Sequence, residues 1–100
     1  MTAMDASMEI QHDERRRRFW APLPHGEAEV DYAPVGDAAL DLVRTWVPPE
    51  DRKAGAGARL VLHVLEHARQ RGLGVIPTCP FVERVIANHP EYQDLVVARA

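Results

Sequence analysis

Two consecutive prolines, Pro48-Pro49, divide this chain into halves with different periodicities. Neither proline can donate a ladder hydrogen bond, so a strand that reaches this point must stop. Before the prolines, apolar residues recur with a period of two; after them, from Ala54 to Arg71, the period is 3.6. Ala38 to Val47 reads as the strand they stop. Its residues Leu40, Leu42, Val43, Trp46 and Val47 imply burial on much of both faces, with Trp46 in the core. Upstream, Glu27, Glu29 and Asp31 alternate with Ala28, Val30 and Tyr32, the pattern of a half-buried antiparallel strand. His25-Gly26 and Pro34 to Asp37 read as turns, and Pro22 and Pro24 end the strand that holds Phe19, Trp20 and Ala21. Arg15 to Arg18 leads into that strand. Its arginines either alternate with their stems over the sheet or form a patch that attracts an acidic substrate or phosphates. Met8 to Asp13 reads as a short edge strand.

On the other side of the prolines, Ala58, Val61, Leu62, Leu65 and Ala68 form one apolar stripe of a helix Ala54–Arg71, capped by Gly72. Leu73 to Thr78 is a short strand centred on Val75 and Ile76. Pro80 opens a second helix, which carries Phe81, Val82, Val85 and Ile86 and closes at His89-Pro90. Strands first, then helix, strand, helix, indicates an α+β domain with a mixed, mostly antiparallel sheet flanked by two helices. It is expected to span residues 8–97, after a flexible segment of residues 1–7.

The formal charge of −3 gives no reason to expect a nucleic-acid partner, and no apolar stretch is long enough to cross a membrane. The single cysteine, Cys79, excludes an internal disulfide and fits a reducing, cytoplasmic setting.

The turn between strand and helix carries the most chemistry. Arg52, Gly55 and Gly57 fit Arg-x-x-Gly-x-Gly just ahead of the long helix. A helix N-terminus leaves N–H groups unpaired and carries partial positive charge. Small residues allow a pyrophosphate to approach those groups. From Ala54 to Ala58 nothing is larger than alanine, and Arg52 and Lys53 add charge at the rim. The alternative is a tight loop that uses glycine only for its backbone freedom. Neither the Gly-x-Gly-x-x-Gly of a dinucleotide fold nor the Gly-Lys-Ser/Thr of a P-loop is present.

Val47-Pro48 followed by Arg52-x-x-Gly55-x-Gly57-x-x-Leu60-Val61 resembles the acetyl-CoA motif of GNAT-superfamily N-acetyltransferases. Cys79-Pro80-Phe81-Val82 and His89-Pro90-Glu91-Tyr92 narrow the resemblance to the minimal, single-domain GNAT-like family, and it extends from about Ile10 to Leu95. Two positions depart from that family's pattern. Lys53 stands where glycine is usual, and Val85 where an aromatic residue, often tyrosine, is common. The resemblance implies a GNAT-like fold that binds acetyl-CoA through Val47 and the backbone of Arg52, Lys53, Ala54, Gly55, Ala56, Gly57 and Ala58. It implies acetyl transfer to a primary amine, on a small molecule or a protein. A coenzyme A-binding module with little or no catalysis is the alternative.

Cys79 sits at a helix N-terminus, which favours its thiolate. It is either a catalytic acid or transient acyl carrier, the role the resemblance supports, or a small residue that fills space beside the sheet. His63-x-x-Glu66-His67 has the spacing of an inverted zinc-protease motif, but it lies on the polar face with Arg59 and Gln70. With no third ligand in prospect, the expectation is two solvated histidines and no metal. His89 reads as a helix terminator, and Glu50 and Asp51 as a solvated loop.

Overall fold

The computed structural model describes residues 8–98; the segment 1–7, expected to be flexible, lies outside the described residues. Five strands form one sheet in chain order: β1 (Gln11–Asp13), β2 (Arg18–Leu23), β3 (Gly26–Val35), β4 (Ala39–Trp46) and β5 (Gly74–Ile76). The first four are antiparallel and β5 is parallel to β4, reached through the crossover helix α1 (Ala56–Arg71). A second helix, α2 (Pro80–Asn88), follows β5. Short 3₁₀ turns, Pro49–Ala54 and Pro90–Leu95, precede α1 and follow α2. The fold is α+β with a mixed sheet, as the order of periodicities implies. No helix among the described residues is long and apolar enough to cross a membrane.

The core lies between the sheet and α1, where Phe19, Val30, Leu42, Leu60, Leu65 and Val75 are fully buried. Each such side chain contributes about 1.5–3 kcal/mol of burial. The stripe of α1 is displaced from the expected one: Leu60 and Val64 are buried, whereas Ala58 and Leu62 are half-buried at its margin.

Several sequence expectations are corrected. β2 continues through Pro22, and β3 through Pro34 and Val35. Both prolines sit where one flank has no partner strand. β1 reaches only Trp20 on β2, and β2 pairs with β3 only as far as Asp31. The missing N–H therefore costs no ladder bond. Arg15 to Arg17 belong to the β1–β2 turn, where Arg17 takes φ 57°, and only Arg18 enters the strand. There Arg18 Nε donates to Asp31 at 2.7 Å and its Nη1 lies 3.5 Å from Glu29.

Trp46 is not in the core: 40% of it is exposed. The cause is a bulge in β4. Tyr32 pairs with Leu42 while Asp31 pairs with Arg44, which leaves Val43 as an extra residue. One extra residue inverts the alternation, so Arg44 and Trp46 leave the face that Leu42 occupies. On the outer face Arg44 bonds Glu29 and Asp31, each at 3.1 Å.

Candidate functional site

β4 and β5 pair over only three residues, Ala39–Asp41 with Gly74–Ile76. The Cys79 N–H then donates to the Leu42 carbonyl at 2.9 Å. Past this last rung the two paths part, β4 running on to Trp46 and the other turning into α2. A cleft of about 450 Å³ opens in the fork. One wall is Thr45, Val47 and Arg52; the first turn of α1 contributes Gly55, Gly57 and Ala58; Phe81 and Arg84 of α2 form the other wall.

The sequence predicted α1 from Ala54, but Pro49–Ala54 winds as a 3₁₀ turn and Gly55, at φ 77°, sets the start at Ala56. A side chain would be strained at that φ, so glycine is required. Arg59 N–H bonds the Gly55 carbonyl at 3.2 Å, leaving the N–H groups of Ala56, Gly57 and Ala58 without intrahelical partners. No acidic residue and no side-chain cap occupies this first turn. Gly57 answers to packing: a Cβ there would lie 3.1 and 3.2 Å from two ring carbons of Phe81 and 3.2 Å from Val47 Cγ2. The first turn thus packs directly against both walls.

Of the predicted binding residues, Val47, Arg52, Gly55, Gly57 and Ala58 line the cleft. Lys53 and Ala54 are exposed in the 3₁₀ turn, and Ala56 is buried behind the wall. Arg52 is more constrained than a rim charge. Its Nε donates to the Val47 carbonyl at 2.8 Å and its guanidinium stacks on Trp46 at 5.0 Å. Asp51, expected in solvent, is buried. It accepts from the His25 backbone N–H at 3.0 Å and faces His25 Nδ1 at 3.0 Å, tying the 3₁₀ turn to the β2–β3 turn. That contact holds the His25 pKa above its ordinary value.

Cys79 does not face the cleft; it is 7% exposed, and its thiol donates to Thr45 Oγ1 at 3.6 Å. Burial pushes the thiol pKa up. Bonds from the Val82 N–H and the Phe81 N–H, and the hydrogen bond with Thr45, outweigh it, so the pKa lies below the ordinary value. Thr45 therefore stands between sulfur and cleft, a position no sequence motif announced. Arg84 was missed as well. Its only signal is the three-residue spacing from Phe81, on whose ring its guanidinium sits at 5.8 Å. Deeper, the Thr78 hydroxyl donates to the buried Asp41.

Of the two α1 histidines expected in solvent, His63 is exposed, with its ring 6.1 Å from the Phe19 edge, whereas His67 is half-buried and packs edge-on against Phe19 and His12, each at 5.0 Å. Among the described residues no three His, Cys, Asp or Glu side chains gather as a metal site. The arginine run does not line the cleft: Arg15 to Arg17 lie in the β1–β2 turn, and Arg18 is paired with Asp31 and Glu29.

Small residues at a bare helix start and two arginines, with no carboxylate among the described residues that line the cleft, are chemically suited to a phosphate-bearing ligand. The sequence model of a family described as GCN5-related N-acetyl-transferase matches residues 18–95. Protein NATD1 from Bos taurus is 30% identical over 83 residues, covering 81% of this chain and 74% of that one; the Homo sapiens protein gives the same figures. The solution structure of a GCN5-like protein from Staphylococcus aureus superposes with a TM-score of 0.72 at 27% identity, covering 95% of this chain and 93% of that one.

Proposed function

The chain belongs to the GCN5-related N-acetyl-transferase family, and from that premise we propose that its cleft takes up acetyl-CoA and that the protein moves the acetyl group to a primary amine. One observation carries this reading: the β4–α2 fork is floored by the uncapped start of α1 and flanked by Arg52 and Arg84. Acetyl-CoA, when bound, supplies an activated thioester and the phosphates that the helix start and the arginines would hold. Gly57 keeps that helix start against both walls. Arg52 keeps its charge at the rim by bonding the carbonyl of Val47, so the guanidinium is pre-positioned before any ligand arrives.

Proton handling in this reading falls to the Cys79–Thr45 pair. The thiol is buried and Thr45 faces the cleft, so Cys79 acts through the Thr45 hydroxyl. In that transfer the Cys79 proton would pass through the Thr45 hydroxyl to the coenzyme sulfur as its bond to the acetyl carbon breaks and the C–N bond forms. The N–H groups of Val82 and Phe81 would stabilise the charge left on Cys79, and the proton lost by the acylated amine would restore the thiol. Thr45 is thus a positioning residue and proton carrier, and Cys79 the reservoir behind it.

A second reading, a coenzyme A-binding module with little turnover, is favoured by a specific absence. Among the described residues, none that lines the cleft is a carboxylate or histidine that could take a proton from an incoming ammonium group. Two measurements test the pair. Coenzyme A and acetyl-CoA should raise the melting temperature in proportion to the logarithm of ligand concentration. No shift at millimolar ligand removes both readings. Thiol release from acetyl-CoA with a panel of amines then separates them: amine-dependent release lost in Cys79→Ala supports transfer, and ligand binding without release supports the module.

A further inference from the structure

Away from the cleft, three histidines converge where the sheet edge meets the C-terminal half of α1. β1 is three residues long and, among the described residues, pairs on one side only, with β2. Its Gln11 is exposed, and its Asp13 is occupied locally, accepting from the Arg16 N–H at 3.1 Å. His12 is the residue of β1 that turns inward. Its ring stacks on Phe19 at 4.0 Å with an interplanar angle of 7°, and its Nε2 shares a hydrogen bond of 2.5 Å with the Tyr32 hydroxyl. The His67 ring meets it edge-on at 5.0 Å, and His63 stands one turn earlier on α1, against the same Phe19 ring. Phe19 is fully buried, so half-buried His12 and His67, with exposed His63 beside them, form a collar around a core aromatic.

We propose that His12 and His67 are a pH-sensitive clasp that holds β1 against α1 while the two rings are neutral and releases β1 as they become protonated. The contacts explain why. A neutral imidazole stacks on Phe19 and presents an apolar face; an imidazolium must give up hydration to stay there. Once two of the rings are charged, cations face each other across 5.0 Å. Arg71, at the end of α1, adds a third positive charge beside both His12 and His67. Among the described residues, the neighbours of opposite sign are Glu14 and Asp13 for His12 and Glu14 for His67, and Arg17 lies beside Tyr32. The balance favours the neutral form: burial first, then cationic neighbours, hold His12 and His67 below their ordinary 6.5. The sign follows from linkage. The unfolded chain binds these protons more readily, so the clasp's contribution is complete above the unfolded value of 6.5 and is lost as pH falls below it.

Release of β1 would bare the edge of β2 and leave the cleft, built from β4, α1 and α2, in place. The test is made on the whole chain by NMR. Ring-proton titration should give His12 and His67 midpoints below that of His25, whose contact with Asp51 raises it and which serves as an internal reference. Between pH 7.5 and 5.5, amide exchange at Gln11, His12 and Asp13, corrected for intrinsic exchange, should accelerate severalfold more than at Val30 and Leu42. His12→Phe, which keeps the stack and removes the titrating group, should abolish that difference, and His67→Gln should reduce it. Midpoints for His12 and His67 at or above 6.5 would overturn the proposal. So would β1 exchange that tracks the central strands, or an undiminished acid effect in His12→Phe.

Discussion

Gly57→Ala tests the idea that the first turn of α1 is wedged between the cleft walls. In an unconstrained helix the change should help, because glycine costs about 1 kcal/mol relative to alanine. Here the added methyl would lie 3.1–3.2 Å from Phe81 ring carbons and Val47 Cγ2. Relaxed carbon contacts are about 3.5–4.0 Å, so both walls must retreat by a few tenths of an ångström. Phe81 is half-buried at the lip and can yield. Val47 is buried and its carbonyl is held by Arg52, so it resists. Overpacking of this kind costs about 1–3 kcal/mol. Subtracting the propensity gain leaves a net loss of about 1 kcal/mol, a fall of roughly 4–8 °C in melting temperature for a chain of this size. Displaced walls should also weaken coenzyme A binding by about tenfold, or about 1.4 kcal/mol. Thermal denaturation with and without coenzyme A measures both quantities. In a double-mutant cycle, Val47→Ala supplies the missing room, so Gly57→Ala should cost less in that background than alone. If Gly57→Ala stabilises by the full propensity term and leaves coenzyme A binding unchanged, the wedged-turn argument is refuted.

Three further substitutions probe neighbouring contacts. Arg52→Ala removes the bond to the Val47 carbonyl and the stack on Trp46; coenzyme A affinity should drop about tenfold with a change in tryptophan fluorescence, and Arg52→Lys should recover little because lysine lacks the planar fork. Thr45→Val deletes a hydrogen-bond partner of Cys79, so the pH profile of iodoacetamide alkylation should move to higher pH, while Thr45→Ser leaves it in place; an unmoved profile in Thr45→Val would disconnect the pair. Asp51→Asn should lower the His25 midpoint toward its ordinary value. Because that pKa is raised in the fold, its contribution is present below 6.5 and lost as pH rises through the folded value. The variant should therefore lose the fall in melting temperature that the unmodified chain shows on passing that value.

Much of the fold was legible because Pro48-Pro49 separates two clean periodicities, and each half buries one face. The errors fall where a backbone event breaks the period. Trp46 should share the face of Leu42 at a spacing of four, and it would if Val43 were not an extra residue opposite the Asp31–Tyr32 step. Nothing in Leu42-Val43-Arg44 marks a bulge, since none of the three is glycine. The prolines misled in the opposite direction. In the sequence Pro22 reads as a strand end and Pro34 as the start of a turn, because a proline in a central strand forfeits a bond. Each has a partner strand on one flank only, and sequence cannot show which flank is vacant.

The site divides in a different way. Gly55 and Gly57 were legible because backbone requirements leave a residue signature, a left-handed φ at one and a wall contact at the other. The same seven-residue stretch also contributed Lys53, Ala54 and Ala56, which do not reach the cleft. A motif fixes where the chain turns, whereas lining depends on which side of the turn faces the fork. Thr45 and Arg84 were illegible for a related reason. They approach the cleft from elements separated by thirty-nine residue positions, and only the parting of β4 and β5 beyond Leu42 brings them to opposite walls. The chemistry assigned to Cys79 depends on that same parting. The Cys79 N–H closes the last rung of the sheet, which turns the thiol inward, away from the cleft, and leaves Thr45 as its contact with whatever binds there.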